Sequence, residues 1–445
     1  MENNRLQEEK VPKLLLSLAL PAICAHLITL FYNLVDRIFI GRMEDGVMAM
    51  GAIGICAPIV TIINAFAELL GAGGAPLAAI HIGSGDDKGA EKYLGNSFSV
   101  LTVVSILITI LVLSLKSPLL VLFGASERML PYAASYITIY CMGTLFIQLT
   151  VGMNYYITTQ GFAKTAMITT MLGGILNMVL DPVFIFVLGM GIRGAALATV
   201  ISQMASFIWV VCFLFNKKPR LRLLPGNMKI RVSVLKEILV LGSAPFFMSV
   251  SEGVLHVCFN NQVLRFGGDL AVSAMTILFS IFQFMLLPVD GLAQGAQPII
   301  GQNYGAGRFG RVRETIKLTA LVNLLFTMCA TSLVMLIPSF FIRIFNPDPE
   351  LVKLGERMLR IYAGAFFVIG LNSTFQNTYN ALGEGKRAFF FAFYRKGILL
   401  IPLLYFFPAV LPWGVLAVML AEPVSDFITT GTNALYFRHF IKKKL

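Results

Sequence analysis

From residue 14 to residue 439 the chain is a succession of apolar blocks, each long enough to cross the roughly 30 Å hydrocarbon core of a bilayer as a helix of about 20 residues. Twelve such windows can be drawn, at about 14–40, 50–82, 94–123, 131–159, 164–190, 192–216, 236–264, 272–303, 315–345, 355–381, 387–409 and 412–439. Only 13% of residues are charged and 57% are hydrophobic, against about 25% and 45–50% in soluble domains. The blocks are of helical length and carry Gly and Pro inside them, whereas a membrane barrel would show alternating segments of about ten residues. An all-α, polytopic integral membrane protein is expected. The opening MENNRLQEEK is mixed in charge, and the apolar run after it continues without a small-residue cleavage site, so no cleaved signal peptide is expected.

A net charge of +12 would suit nucleic acid, but the placement of the positives points elsewhere. With the N-terminus inside, 25 of the 35 Lys and Arg fall on inside segments, so the positive-inside rule puts both termini in the cytoplasm of what is expected to be a prokaryotic cell. The block Lys217, Lys218, Arg220, Arg222, Lys229, Arg231 and Lys236 divides an N-lobe (1–216) and a C-lobe (236–445) by a cytoplasmic basic linker (217–235). Topology and contact with anionic membrane lipids explain that block, and no nucleic-acid partner is expected. The six cysteines fall within the windows without a CxxC pair and read as buried apolar residues, not disulfides or metal ligands. No cofactor is implied, and a monomer suffices.

The halves repeat. GAGGAPLAAIHIGSG (71–85) aligns with AQGAQPIIGQNYGAG (293–307) at a shift of 222, so that Gly73 meets Gly295, Pro76 meets Pro298, Gly83 meets Gly305 and Gly85 meets Gly307. Glu68 meets Asp290 and Gly161 meets Gly383 at the same shift. Six spans per half place the halves in the same orientation, the parallel duplication typical of secondary transporters with a site between the repeats.

A charged side chain at the bilayer centre costs roughly 2.5–3.5 kcal/mol by insertion scales, so an intramembrane acid is a functional candidate. Asp36 in NLVDRIFIGRM shares a helix face with Tyr32, four residues earlier, while Arg37 points about 100° away. In ILNMVLDPVFIF, Asn177 and Asp181 stand in the same relation, and Pro182 removes a backbone donor beside them. Thr199 and Ser202 add hydroxyls from the next span. These oxygens suit a proton or a hard cation such as Na+, with Asp36, Asn177, Asp181 and Thr199 as its ligands. Taken alone, the residues also fit a structural polar cluster.

The second half carries Glu252 and His256, Gln283, Asp290 and Gln294, and Glu422 and Asp426. Arg395 and Lys396 reach a similar depth, so Glu422 and Asp426 are expected in a structural ion-pair network. Glu252 stands between substrate contact and structural hydrogen bonding, and Glu68 and Asp290 read as inter-helix structure. Met and Phe side chains that face a cavity suit adaptable binding of apolar cations. Met153 joins Glu252, His256 and Gln283 as a candidate substrate contact. GMGIRG (189–194) lies in a short turn between spans and not after a strand, and there is neither a P-loop nor HExxH, so neither an enzyme nor an ATP-driven pump is expected.

Together, NLVDRIFIGRM, ILNMVLDPVFIF, GIRGAALATVISQ and the GxG loops at 83–85 and 305–307 resemble the multidrug and toxic compound extrusion (MATE) family over essentially the whole chain. The resemblance implies twelve helices in two V-shaped lobes, and export of drugs driven by H+ or Na+ entry. It makes Tyr32, Asp36, Asn177, Asp181 and Thr199 similar to the N-lobe cation site of the DinF-like branch, and Pro21 similar to the proline where the first span bends. Glu252 resembles the span-seven acid of the NorM-like branch. Span ten, however, offers Asn372, Gln376 and Asn377 where some members carry an acid, which places the coupling ion in the N-lobe. The expected activity is antiport of organic cationic or amphipathic compounds. Alternatives are a lipid-linked saccharide flippase, which would need a cationic cavity, and a channel or receptor, which the duplication disfavours.

Overall fold

The computed structural model describes residues 5–216 and 219–445. Residues 1–4 and, from the basic block, Lys217 and Lys218 lie outside the described residues. The first half runs through α1 (Arg5–Glu8), α2 (Val11–Gly41), α3 (Gly46–Gly83), α4 (Asp87–Leu122), α5 (Leu130–Met142), α6 (Thr144–Thr159), α7 (Ala163–Pro182) and α8 (Ile192–Phe215). The second comprises α9 (Val232–Gly305), α10 (Phe309–Leu336), α11 (Pro338–Phe345), α12 (Pro349–Tyr362), α13 (Phe366–Ala381), α14 (Gly385–Phe393), α15 (Ile401–Val410), α16 (Val415–Met419) and α17 (Ala421–Lys444).

Among the described residues nine helical stretches are long and apolar enough to cross a membrane, and α5 with α6, bent by 55°, makes a tenth. The longest, α9, is two passes. Gly268 at φ 69° reverses the chain, and His256 stacks on Phe279 with ring centroids 4.3 Å apart, where an unbroken helix would separate them by roughly 35 Å. With α9 counted twice and α16–α17 as the final pass, the twelve expected spans are present. Local chemistry sets the helix starts. Asp86 caps α4 by accepting from the Gly89 amide at 2.9 Å, and that bond, with His81 beside it, holds the Asp86 carboxyl below its ordinary range. Asp348 caps α12 in the same way at 2.9 Å, with Pro349 in the first turn.

The apolar cores explain the two-lobed shape. One core is made only of first-half residues, Ile40 to Ala196, and another only of second-half residues, Leu255 to Ala421. Two more are shared: Leu6 to Ala19 pack with Leu292 to Phe440, and Ile238 joins Leu70, Tyr93 and Leu221. The shared cores lie toward the ends of the helices nearest the linker, so the lobes are joined there and have separate cores on the far side.

The paired glycines make the joint. A Cβ on Gly83 would collide with the Gln302 carbonyl, and one on Gly305 with the Ile80 carbonyl. Since 305 − 83 and 302 − 80 both equal 222, these are one contact seen twice, related by the repeat. A second pair follows the same pattern, with Gly73 against the backbone of Ile238 and Gly242, and Gly295 against that of Ala19. The turn glycines are paired too. Gly85 and Gly307, Gly161 and Gly383, and Gly191 and Gly414 all have positive φ.

The segment before α2 clasps this joint. Asn303 donates to the Leu6 carbonyl at 3.0 Å, Arg311 to the Glu9 carbonyl at 2.6 Å, and Gln7 reaches across to the Gly83 carbonyl at 3.4 Å. The linker is a strap laid on the N-lobe: Arg220 pairs with Asp87 at 2.6 Å, and the Arg231 amide donates to the buried Asn96 side chain at 2.6 Å. The cysteines depart from expectation. All are free, but only Cys56 and Cys141 are buried, while Cys212 and Cys329 are exposed on the outward faces of α8 and α10.

If the glycine contacts hold the lobes together, Gly83→Ala and Gly305→Ala should each destabilise the protein by about 1–3 kcal/mol through overpacking, read as a lowered Tm in detergent. Gly310→Ala, where a Cβ meets nothing within 4 Å, should leave Tm unchanged or raise it slightly.

Candidate functional site

Three helices of the N-lobe, α2, α7 and α8, bring the expected polar residues together. The Tyr32 ring of α2 packs against Gly174 of α7, where a Cβ would stand 3.1 Å from it. One turn further along α2, the Asp36 carboxyl comes within hydrogen-bonding reach of Asp181. Asn177 donates to Asp181 Oδ1 at 3.3 Å and to Thr199 Oγ1 of α8 at 3.4 Å. Asp181 is fully buried and Asn177 nearly so. Arg37 is exposed on another face of α2, as the 100° step requires. Ser202 does not join, because its hydroxyl donates back to the Thr199 carbonyl at 2.9 Å.

Asp36 Oδ1 and Asp181 Oδ2 are buried and accept no hydrogen bond from the described residues. Orphaned carboxylate oxygens are costly in a low-dielectric interior, so two such groups in contact call for a shared proton or a bound cation. The neighbouring amide and hydroxyl oxygens complete a set of hard donors. Below Asp181, Pro182 lacks its amide hydrogen and Val183–Val187 winds as a π turn, which interrupts the regular helical ladder beside the carboxylates.

Sequence reading missed two phenols. Tyr136 and Tyr140 of α5 stack at 5.9 Å. Tyr136 lies near both carboxylates and Tyr140 near Tyr32. Their i, i+4 spacing, the same as Tyr32/Asp36 and Asn177/Asp181, was the available signal. Met153 is corrected: it is wholly buried with Leu101 and Tyr156 in the shared core that Ile238 joins, and lines no cleft.

The second half is built differently. Arg395 pairs with Asp426 at 2.6 Å and Glu422 at 3.0 Å, all three largely buried. Lys396, 4% exposed, reaches Glu252 at 3.2 Å and the Met248 carbonyl at 3.2 Å. Glu252, His256 and Gln283 are exposed, with His256 held flat on Phe279. The Ser249 hydroxyl donates to Glu68, tying α3 to α9 across the lobes, whereas Asp290 is exposed.

A helical membrane protein of two repeated lobes, with an oxygen site inside one and ion pairs inside the other, is thereby defined. The MatE family model matches it twice, over residues 21–183 and 244–406, once in each half, and the chain belongs to the MatE family. It is 26% identical over 427 residues to the multidrug export protein MepA of Staphylococcus haemolyticus (strain JCSC1435), covering 95% of this chain and 93% of that protein. MepA of Staphylococcus aureus (strain NCTC 8325 / PS 47) is also 26% identical, covering 89% and 88%. In fold it is similar to a crystal structure of MATE in complex with MaL6, at TM-score 0.93 and 22% identity, covering 100% of this chain and 99% of that one.

The C-lobe network yields a prediction that separates structure from transport. Arg395→Met leaves two buried carboxylates uncompensated and should destabilise by about 3–5 kcal/mol, whereas Arg395→Met with Glu422→Gln and Asp426→Asn should recover most of that loss. Thermal unfolding of the purified variants checks the cycle.

Proposed function

We propose that the protein is a secondary multidrug exporter that moves organic cationic or amphipathic compounds outward while H+ or Na+ enters through the Asp36/Asp181 site. The carrying observation is the pair of buried, unpartnered carboxylate oxygens on facing helices. The relatives' names as multidrug export proteins support the substrate class. Both termini and the linker are assigned to the cytoplasm, in a prokaryotic plasma membrane, from the distribution of Lys and Arg. The far-side separation of the cores then corresponds to a cleft open to the outside.

The mechanism follows from where α2 changes partners. Up to Pro21 it belongs to the core shared with the C-lobe, and Ile23 still touches Gly291; beyond it, Tyr32 and Asp36 belong to the N-lobe. Loading a cation onto Asp36 and Asp181 removes their repulsion and draws α2 toward α7. Unloading lets the outer half of α2 swing about Pro21, whose missing N–H leaves the helix without one ladder bond there. One charge crossing 100 mV contributes about 2.3 kcal/mol to the cycle. A flippase would need free cations in the cleft, but Arg395 and Lys396 are both engaged by carboxylates.

Asp36→Asn and Asp181→Asn should each lower dye efflux in transport-deficient cells at least about tenfold, the scale of one lost charge-dependent step. Imposing proton and sodium gradients separately identifies the ion, and wild-type rates in both variants under either gradient would refute the coupling assignment. Pro21→Ala, which restores the ladder bond, should slow efflux several-fold at unchanged expression; equal rates would remove Pro21 as the hinge.

A further inference from the structure

We propose that the linker-side surface of the C-lobe holds one anionic phospholipid, its phosphate between Lys236 and Lys386 and an acyl chain in the groove between α9 and α14. Two hollows meet there, a groove of about 560 Å³ along Leu235, Leu239 and Phe389 and a cavity of about 490 Å³ beside Arg387, Phe390 and Tyr436, and both are bordered by Val240 and Lys386. Their origin is again a glycine. A Cβ on Gly385 would stand 2.6 Å from Leu241 Cα, so α14 meets α9 backbone to backbone and the larger side chains splay to either side.

The charges around the hollows are unequal. Glu384 is the acid lining the cavity, and it is already held by Arg387 and by Lys444 at 2.9 Å, while Arg387 also donates to the Tyr436 hydroxyl at 2.8 Å. Glu237, next to Lys236, accepts from Tyr93. Lys236 and Lys386 are exposed and form no ion pair among the described residues. The groove below them is apolar apart from Ser243 and the lysines themselves, and Leu239, Val240 and Phe389 are exposed within it.

These features select the occupant. Both helices start at this level, α9 at Val232 and α14 at Gly385, which is where a headgroup region meets the chains. A soluble phosphate would satisfy the lysines and leave the groove empty, and a zwitterionic lipid would bring a cation to an uncompensated pair of cations. A lipid with net negative charge satisfies both parts, and basic pockets between transmembrane helices hold such headgroups. The site depends on membrane embedding and on no property of the export reading.

The test uses the full chain in detergent, titrated with phosphatidylglycerol, with phosphatidylcholine of the same chains, and with inorganic phosphate, and read by native mass spectrometry and Tm. Phosphatidylglycerol should be retained and should raise Tm, and Lys236→Ala with Lys386→Ala should weaken its binding roughly 30-fold, from two surface cations lost. Lys236→Arg with Lys386→Arg should keep it, as should the linker-side control Lys88→Ala with Lys92→Ala. Equal binding of both lipids, wild-type retention in the double alanine variant, or displacement by inorganic phosphate would each overturn the proposal.

Discussion

The close approach of α3 and α9 at Gly83, Gly305, Gly73 and Gly242 is the contact on which the rest of the structure depends. In a bilayer, apolar side chains gain little by leaving lipid for protein, so helix association relies on dense packing and interhelical hydrogen bonds. Small residues supply the first, and Gln302 donating to the Thr159 carbonyl at 2.8 Å supplies the second. Because the glycine contacts occur twice under the repeat, the joint behaves like the isologous interface of a two-fold dimer within one chain. Its position on the linker side makes the lobes two arms meeting at one end, each with its own core beyond the joint.

Much of this was legible in the sequence, for identifiable reasons. Span-length windows and the 222-residue shift are properties of composition and spacing, and they located the helices, the break between 264 and 272 and the paired glycines. The N-lobe site was legible because intramembrane acids are rare and the i, i+4 rule puts their partners on the same face. The bend between α5 and α6 at Gly143 was not, since one glycine inside an apolar run leaves the run intact. The N-terminal clasp was hidden for another reason: its acceptors are the backbone carbonyls of Leu6, Gln7 and Glu9, which any residue presents. Met153 failed because a methionine in a helix apolar on most sides gives no sign of which side faces a cleft.

The lobes share a backbone plan and differ in the chemistry placed on it. At the shift of 222, Gly174 of the N-lobe corresponds to Lys396 of the C-lobe (396 − 174 = 222), and Gly173 to Arg395 (395 − 173 = 222). In the N-lobe the missing side chain leaves room for Tyr32, and the nearby carboxylates have no basic partner among the described residues. In the C-lobe the same positions carry two cations, which engage Glu252, Glu422 and Asp426. One lobe thus contains its own counter-ions, and the other leaves Asp36 and Asp181 oxygens without a partner among the described residues. Tethered cations cannot leave, so the C-lobe keeps its counter-ions. In the proposed cycle a proton or Na+ at Asp36 and Asp181 comes and goes, and only such an exchangeable charge lets a gradient do work on the fold.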